Sequence, residues 1–130
     1  MSHVPKILVT CLAASLLVAL PGSAAASTSS GPEATAARIC SVKNIWRKLG
    51  TSYVNALSTR NVSCPDARDF SRRYHRCRRA NGGRRGRCPR LLRFRCTERR
   101  FNVISLSFDA RFLCVRGSQR IRSTYTQLLR

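Results

Sequence analysis

The sequence predicts a small, disulfide-rich, mainly β domain in which a short N-terminal helix precedes antiparallel strands. Three observations predict it. Six cysteines, an even set, follow an apolar leader in a chain of 130 residues. Residues 41 to 49 carry one apolar stripe at helical spacing. From residue 92 onward apolar and polar residues alternate with the period of a strand.

The leader comes first. Lys6 precedes an apolar run from Ile7 to Leu20, Pro21 and Gly22 end it, and Ser23 to Ala26 are small. A basic start, an apolar core of about 14 residues and an A-x-A-like site make residues 1–26 a secretory signal peptide. The run is shorter than the roughly 20 residues of a membrane span. Cleavage removes Cys11, the odd cysteine, and the destination is secreted and extracellular. Cys40, Cys64, Cys77, Cys88, Cys96 and Cys114 then form three disulfides in an oxidising compartment, with their pairing open. No C-x-x-C pair exists and His75 is the one histidine left, so no metal site and no cofactor are expected.

Residues 27–37, rich in Ser, Ala and Thr, read as a flexible leader. Residues 38–117 form the disulfide-rich domain, and 118–130 a basic C-terminal tail without clear structure. A core this small is marginal, and each bridge typically contributes about 2–4 kcal/mol. After signal removal 24 basic groups face five acidic ones, a net charge of +19 whose self-repulsion opposes compaction.

Val42, Ile45, Trp46 and Leu49 lie on one helical face. Ser41 suits the N-cap, Arg47 and Lys48 the last turn, and Gly50 the stop. Trp46 is expected to anchor the core. Residues 58 to 90 show little periodicity. Asn81-Gly82-Gly83 marks a turn within them, so a basic loop tied at Cys77 and Cys88 is expected, with His75 on its surface. Leu92, Phe94 and Cys96 then alternate with Arg93 and Arg95. Ile104, Leu106 and Phe108 alternate with Ser105, Ser107 and Asp109, and Phe112 and Cys114 with Arg111 and Leu113. Three strands with turns near Glu98 to Arg100 and Asp109 to Ala110 fit this pattern.

Several function classes lack their residues. A ribonuclease needs an acid and a base, usually two histidines. A glycosidase needs paired carboxylates, and the whole chain has five acidic residues. No serine stands in a nucleophile motif. The protein is not expected to be an enzyme.

The arginines carry the chemistry instead. Thirteen fall between Arg72 and Arg100, and the chain past the leader holds 22 Arg against two Lys, Lys43 and Lys48. Arginine binds sulfate, phosphate and carboxylate bidentately, which lysine cannot match. Arg72, Arg73, Arg78, Arg79, Arg84, Arg85 and Arg87 are therefore the expected polyanion- or partner-binding set, with sulfated glycosaminoglycan as the extracellular ligand. The charge suits nucleic acid too, but the compartment does not. Asn61-Val62-Ser63 is an N-glycosylation sequon, and Arg84-Arg85-Gly86-Arg87 has the dibasic form cut by secretory proteases.

Two stretches resemble the noggin-like cystine-knot ligands, the group of noggin, trunk and prothoracicotropic hormone. Cys40, Leu49-Gly50 and Cys64 are spaced as at the start of the prothoracicotropic hormone domain. Leu92-Arg93-Phe94-Arg95-Cys96 followed by Arg99-Arg100 is similar to the Leu-Arg-Trp-Arg-Cys stretch of noggin. Phe112-Leu113-Cys114-Val115 takes the place of the last strand, without the C-x-C pair that the family carries there. The resemblance implies a reduced cystine knot and a secreted cytokine- or growth-factor-like ligand or antagonist. Such a ligand binds a cell-surface receptor or an extracellular growth factor, often as a homodimer. Charge and disulfides equally suit a cationic host-defence protein on anionic membranes, without stable insertion; a secreted inhibitor or toxin shares the scaffold.

Overall fold

The structure, a computed structural model, describes residues 36–43, 45 and 49–130. The expected signal peptide, most of the expected leader and Trp46 lie outside the described residues.

Six antiparallel strands form one sheet: β1 (Arg38–Cys40), β2 (Ser52–Arg60), β3 (Arg90–Leu91), β4 (Phe94–Phe101), β5 (Ser107–Arg116) and β6 (Gln119–Leu128). The spatial order is β1-β2-β6-β5-β4-β3. Between β2 and β3 runs one 17-residue helix, α1 (Cys64–Ala80), followed by a single 3-10 turn over Gly83–Arg85. The small, disulfide-rich, mainly β class is as expected. The path through it differs in four places.

The first difference is α1, which replaces the expected basic loop. Ser63 caps it, its hydroxyl accepting from the Asp66 N–H at 3.2 Å, and Pro65 occupies the first turn, where no N–H is needed. Its buried face consists of Ala67, Phe70, Ser71, Tyr74, His75 and Arg78. Those positions keep helical spacing, but three of the six are polar, so the stripe does not read as apolar. Asn81 closes the helix, and Gly82 and Gly83 turn the chain with positive φ, as the sequence signalled.

The second is the C-terminus. The expected tail is β6, the strand that closes the sheet against both β2 and β5. Ile121, Ser123, Tyr125 and Gln127 point into the core in strict alternation. Two of these four are polar, which hid the period.

Third, the expected turns near Glu98 to Arg100 and Asp109 to Ala110 lie inside β4 and β5, where Glu98 pairs with Phe112 and Arg100 with Ala110. The actual connection is residues 102–106, so Ile104 and Leu106 are exposed loop residues and not strand core. Leu92 also leaves the core. It and Arg93 form the two-residue β3–β4 turn with φ of 48° and 65°, the sign both positions of a type I′ hairpin require.

Fourth, residues 38–40, the first of the expected disulfide-rich domain and not expected to form a strand, pair with β2 as β1. Of the expected helix over 41–49, the described positions make a turn, the Ile45 N–H donating to the Val42 carbonyl at 3.0 Å. Ile45 and Leu49 are buried, as that stripe demands.

The disulfides join Cys40 to Cys64, Cys77 to Cys88 and Cys96 to Cys114. Pairing is sequential, each bridge closing its own loop, and no two bridges span a shared pair of chain segments. A knot ring is built from such a shared pair, so the reduced cystine knot is not the arrangement here. The first two bridges tie α1 to β1 and to the segment before β3. The third is a cross-strand pair in register between β4 and β5.

α1 covers one face of the sheet. Phe70 and Phe94 meet with ring centroids 4.8 Å apart, and Tyr74 and Phe112 at 4.0 Å. Among the described residues nothing packs over the opposite face, which carries the alternate residues of every strand.

Candidate functional site

The buried polar groups belong to the core, not to a site. The Glu98 carboxylate accepts from Tyr74 Oη at 2.8 Å, Tyr125 Oη at 2.9 Å and Arg100 Nε at 2.7 Å. Burial raises both tyrosine pKa values well above the ordinary phenol range, and the neighbouring Glu98 charge adds to this. Arg78, fully buried, donates to Ser52 Oγ at 3.1 Å, to the Arg84 carbonyl at 3.0 Å and to Gln127 Oε1. One side chain thus ties α1, β2, β6 and the following turn together. Burial lowers the Arg78 pKa.

His75 is also fully buried, contrary to its expected surface place, and neither ring nitrogen has a hydrogen-bond partner. Desolvation pushes its pKa down to about 3, and Arg78 and Arg79 push the same way. It stays neutral and packs edge-on to Tyr125 at 4.7 Å.

The seven expected binding arginines do not converge. Arg78 is interior. Arg73 contacts Asp69 at 2.6 Å and Arg72 the same carboxylate at 4.0 Å. The Arg73 hydrogen bond holds the Asp69 carboxyl below the usual carboxylate range. Arg79 donates to the Leu49 carbonyl at 3.2 Å, Arg84 to the Leu129 carbonyl at 2.9 Å and Arg87 to the Glu98 carbonyl at 3.5 Å. Arg85 is exposed, but its carbonyl accepts from Arg100 at 2.7 Å. Buried Gly86 follows, where a Cβ would lie 1.9 Å from the Arg78 carbonyl. The dibasic segment is therefore pinned at successive carbonyls by interior arginines. Asn61 is exposed in the β2–α1 turn, its amide donating to the Ser118 carbonyl at 3.1 Å.

A different set does converge, on the open face of the sheet. Strand register places Arg95 opposite Val115, Thr97 opposite Leu113, Arg99 opposite Arg111 and Phe101 opposite Asp109. On the far side of β5, Leu113 pairs with Arg122 and Val115 with Arg120. Thr97, Glu98, Arg99, Phe101, Arg111, Leu113 and Arg122 line a shallow groove of about 530 Å3, with the Glu98 carboxylate itself bonded to Tyr74, Tyr125 and Arg100. Its floor is apolar, from half-buried Leu113 and Phe101, and its rim is guanidinium. Among the described residues Arg99, Arg111 and Arg122 make no side-chain hydrogen bond or ion pair, and all three are exposed. The nearest acid in register, Asp109, is engaged by Thr126 Oγ1 at 2.6 Å and Asn102 Nδ2 at 2.9 Å, which lower its pKa.

Directly opposed like charges destabilise a strand pair. Arg99 and Arg111 stand so opposed, with hydrogen-bonding capacity unspent and an apolar floor between strands. An anion bridging the two guanidinium groups would remove the repulsion. The period-two run Arg95, Thr97, Arg99, Phe101 was visible in the sequence, but the turn expected at Glu98 to Arg100 cut it. Arg120 and Arg122 fell in the presumed tail.

The chain matches no protein-family model, no curated protein and no solved structure. Fold and site therefore define its class by themselves: a disulfide-stabilised helix-on-sheet domain with an arginine-rimmed open face. No described helix is long and apolar enough to cross a membrane.

Proposed function

We propose that the chain is a secreted, non-enzymatic ligand or antagonist that meets its extracellular partner through the open sheet face. Sulfated glycan is the anion that this face takes. The single observation that carries the reading is the opposed pair Arg99 and Arg111, both without a side-chain partner among the described residues, beside Arg122 on one groove. Guanidinium groups at neighbouring strand positions suit sulfates spaced along a sugar chain, and Leu113 and Phe101 offer apolar surface to the ring faces. The noggin-like resemblance supplied the expectation of a ligand; sequential bridges give it no support, so the reading rests on the surface.

Heparin-affinity chromatography tests it. The variant Arg99→Ser/Arg111→Ser/Arg122→Ser should elute at clearly lower salt and bind about tenfold or more weakly, since each charge-assisted hydrogen bond contributes about 1.5–3 kcal/mol. The control Arg72→Ser/Arg73→Ser/Arg79→Ser removes the same charge from α1 and should shift elution far less. Equal shifts would mean diffuse attraction to net charge and would overturn the reading.

A further inference from the structure

The β4–β5 connection carries an apolar group that neither the core nor the groove uses. Val103 and Ile104 are each 59% exposed and Leu106 is 53% exposed, in five residues of loop. Three large aliphatic side chains in water at one tip are uncommon where they serve no contact. The loop's backbone is nonetheless held. The Ile104 N–H donates to the Ser107 carbonyl at 2.9 Å, and the Leu129 N–H to the Leu106 carbonyl at 2.8 Å. The side chains are thus presented outward by a fixed turn beyond Phe101 and Asp109, the last register pair of these strands.

Cations flank this tip on both sides of the sheet. On the open face Arg99 and Arg111 lie two residues up their strands from Phe101 and Asp109, about 7 Å from that last register pair and farther from the tip itself. On the helical face Arg84 binds the carbonyl of Leu129, the residue whose N–H holds Leu106. Arg85 is its exposed neighbour. Asp109 is the acid nearest in register, and it is occupied by Thr126 and Asn102.

We propose that this tip is a membrane-surface wedge: Val103, Ile104 and Leu106 enter the interfacial region of an anionic bilayer while Arg84, Arg85, Arg99 and Arg111 contact lipid phosphates. An apolar projection collared by cations fits a surface that is anionic outside and apolar beneath. The contact is peripheral, since nothing in the loop is long enough to span. Arg99 and Arg111 are shared with the groove, whereas Val103, Ile104 and Leu106 lie outside it, so those three apolar side chains are what separates this proposal from glycan binding.

Co-sedimentation with vesicles of phosphatidylcholine and phosphatidylglycerol at 4:1, against pure phosphatidylcholine, tests it with the full disulfide-bonded chain. The chain should partition at least tenfold more strongly onto the anionic vesicles. The variant Val103→Gln/Ile104→Gln/Leu106→Gln should lose at least tenfold of that partition while eluting from heparin as before. Separately, Ile104→Trp should add emission that shifts to the blue with anionic vesicles and not with neutral ones. Failure to bind anionic vesicles, equal binding to neutral ones, undiminished binding of the glutamine variant or an unshifted tryptophan would each overturn the proposal. Unchanged heparin elution keeps it separate from the groove, and the tryptophan variant still decides should the glutamine variant not fold.

Discussion

The two faces of this sheet are built from alternate residues of the same strands, and they solve the charge problem in opposite ways. Inward, Glu98 and Arg100 of β4 meet Arg78 and His75 of α1 between helix and sheet, and all but the histidine bond specific partners. Outward, Arg99, Arg111 and Arg122 are exposed and make no side-chain hydrogen bond or ion pair among the described residues. Burying a charge is unfavourable unless it is paired, so the inner face tolerates only matched groups. Solvent screens the outer face, and there even two opposed arginines are allowed. The inner charges therefore belong to folding, whereas the outer ones are available for recognition.

Neighbouring residues on β5 give the sharpest break between the faces. Phe112→Ala removes a fully buried ring stacked on Tyr74 and should destabilise the fold by about 3–5 kcal/mol. Leu113→Ala, one residue on, should cost less than about 1 kcal/mol, since its side chain is only half-buried on the open face. Denaturant titration of the two variants measures the contrast; similar losses would mean that the open face is covered.

His75 gives the next largest effect. Its folded pKa is about 3, against 6.5 in an unfolded chain. Below pH 6.5 the unfolded state takes up a proton that the folded state refuses, so stability falls as pH drops toward 3. The slope approaches about 1.4 kcal/mol per pH unit inside that window and vanishes above it. Asp69 and Asp109, whose pKa values are lowered, add their own loss only in the acid range below about 4. His75→Phe should flatten the profile between pH 6.5 and 4.5, read from denaturation midpoints at each pH. A profile unchanged by that substitution would show that the ring reaches water.

The smallest effect has the opposite sign. Arg111→Thr relieves the repulsion with Arg99 and places a good strand former beside Thr124, so stability should rise by about 0.5 kcal/mol. Heparin affinity should fall in the same variant. A gain in stability with a loss of binding separates recognition from folding on one residue.

Some of this was legible from residues alone. Phe94, Cys96, Phe108, Phe112 and Cys114 announce their strands by alternation, and Asn81-Gly82-Gly83 announces its turn. What failed to show were α1 and β6, whose inward faces are partly polar. α1 buries Ser71, His75 and Arg78, and β6 buries Ser123 and Gln127. A hydrophobic period cannot register residues that are buried for their hydrogen bonds. The same reason hid the groove, because its rim depends on β6 lying beside β5.

By itself the sequence determined composition and local tendency: an arginine excess, six cysteines past an apolar leader, and strand periods where the core is apolar. It left two questions open, namely which arginines face water and which cysteines meet. Tertiary structure decided both, through the placement of α1 across one face only. That placement takes Arg78 into the interior, leaves Arg99, Arg111 and Arg122 outside, and sets Cys64 against Cys40 and Cys77 against Cys88, while strand register joins Cys96 to Cys114. The physical reason is that a guanidinium's role depends on the partners around it, and those partners come from strands distant along the chain.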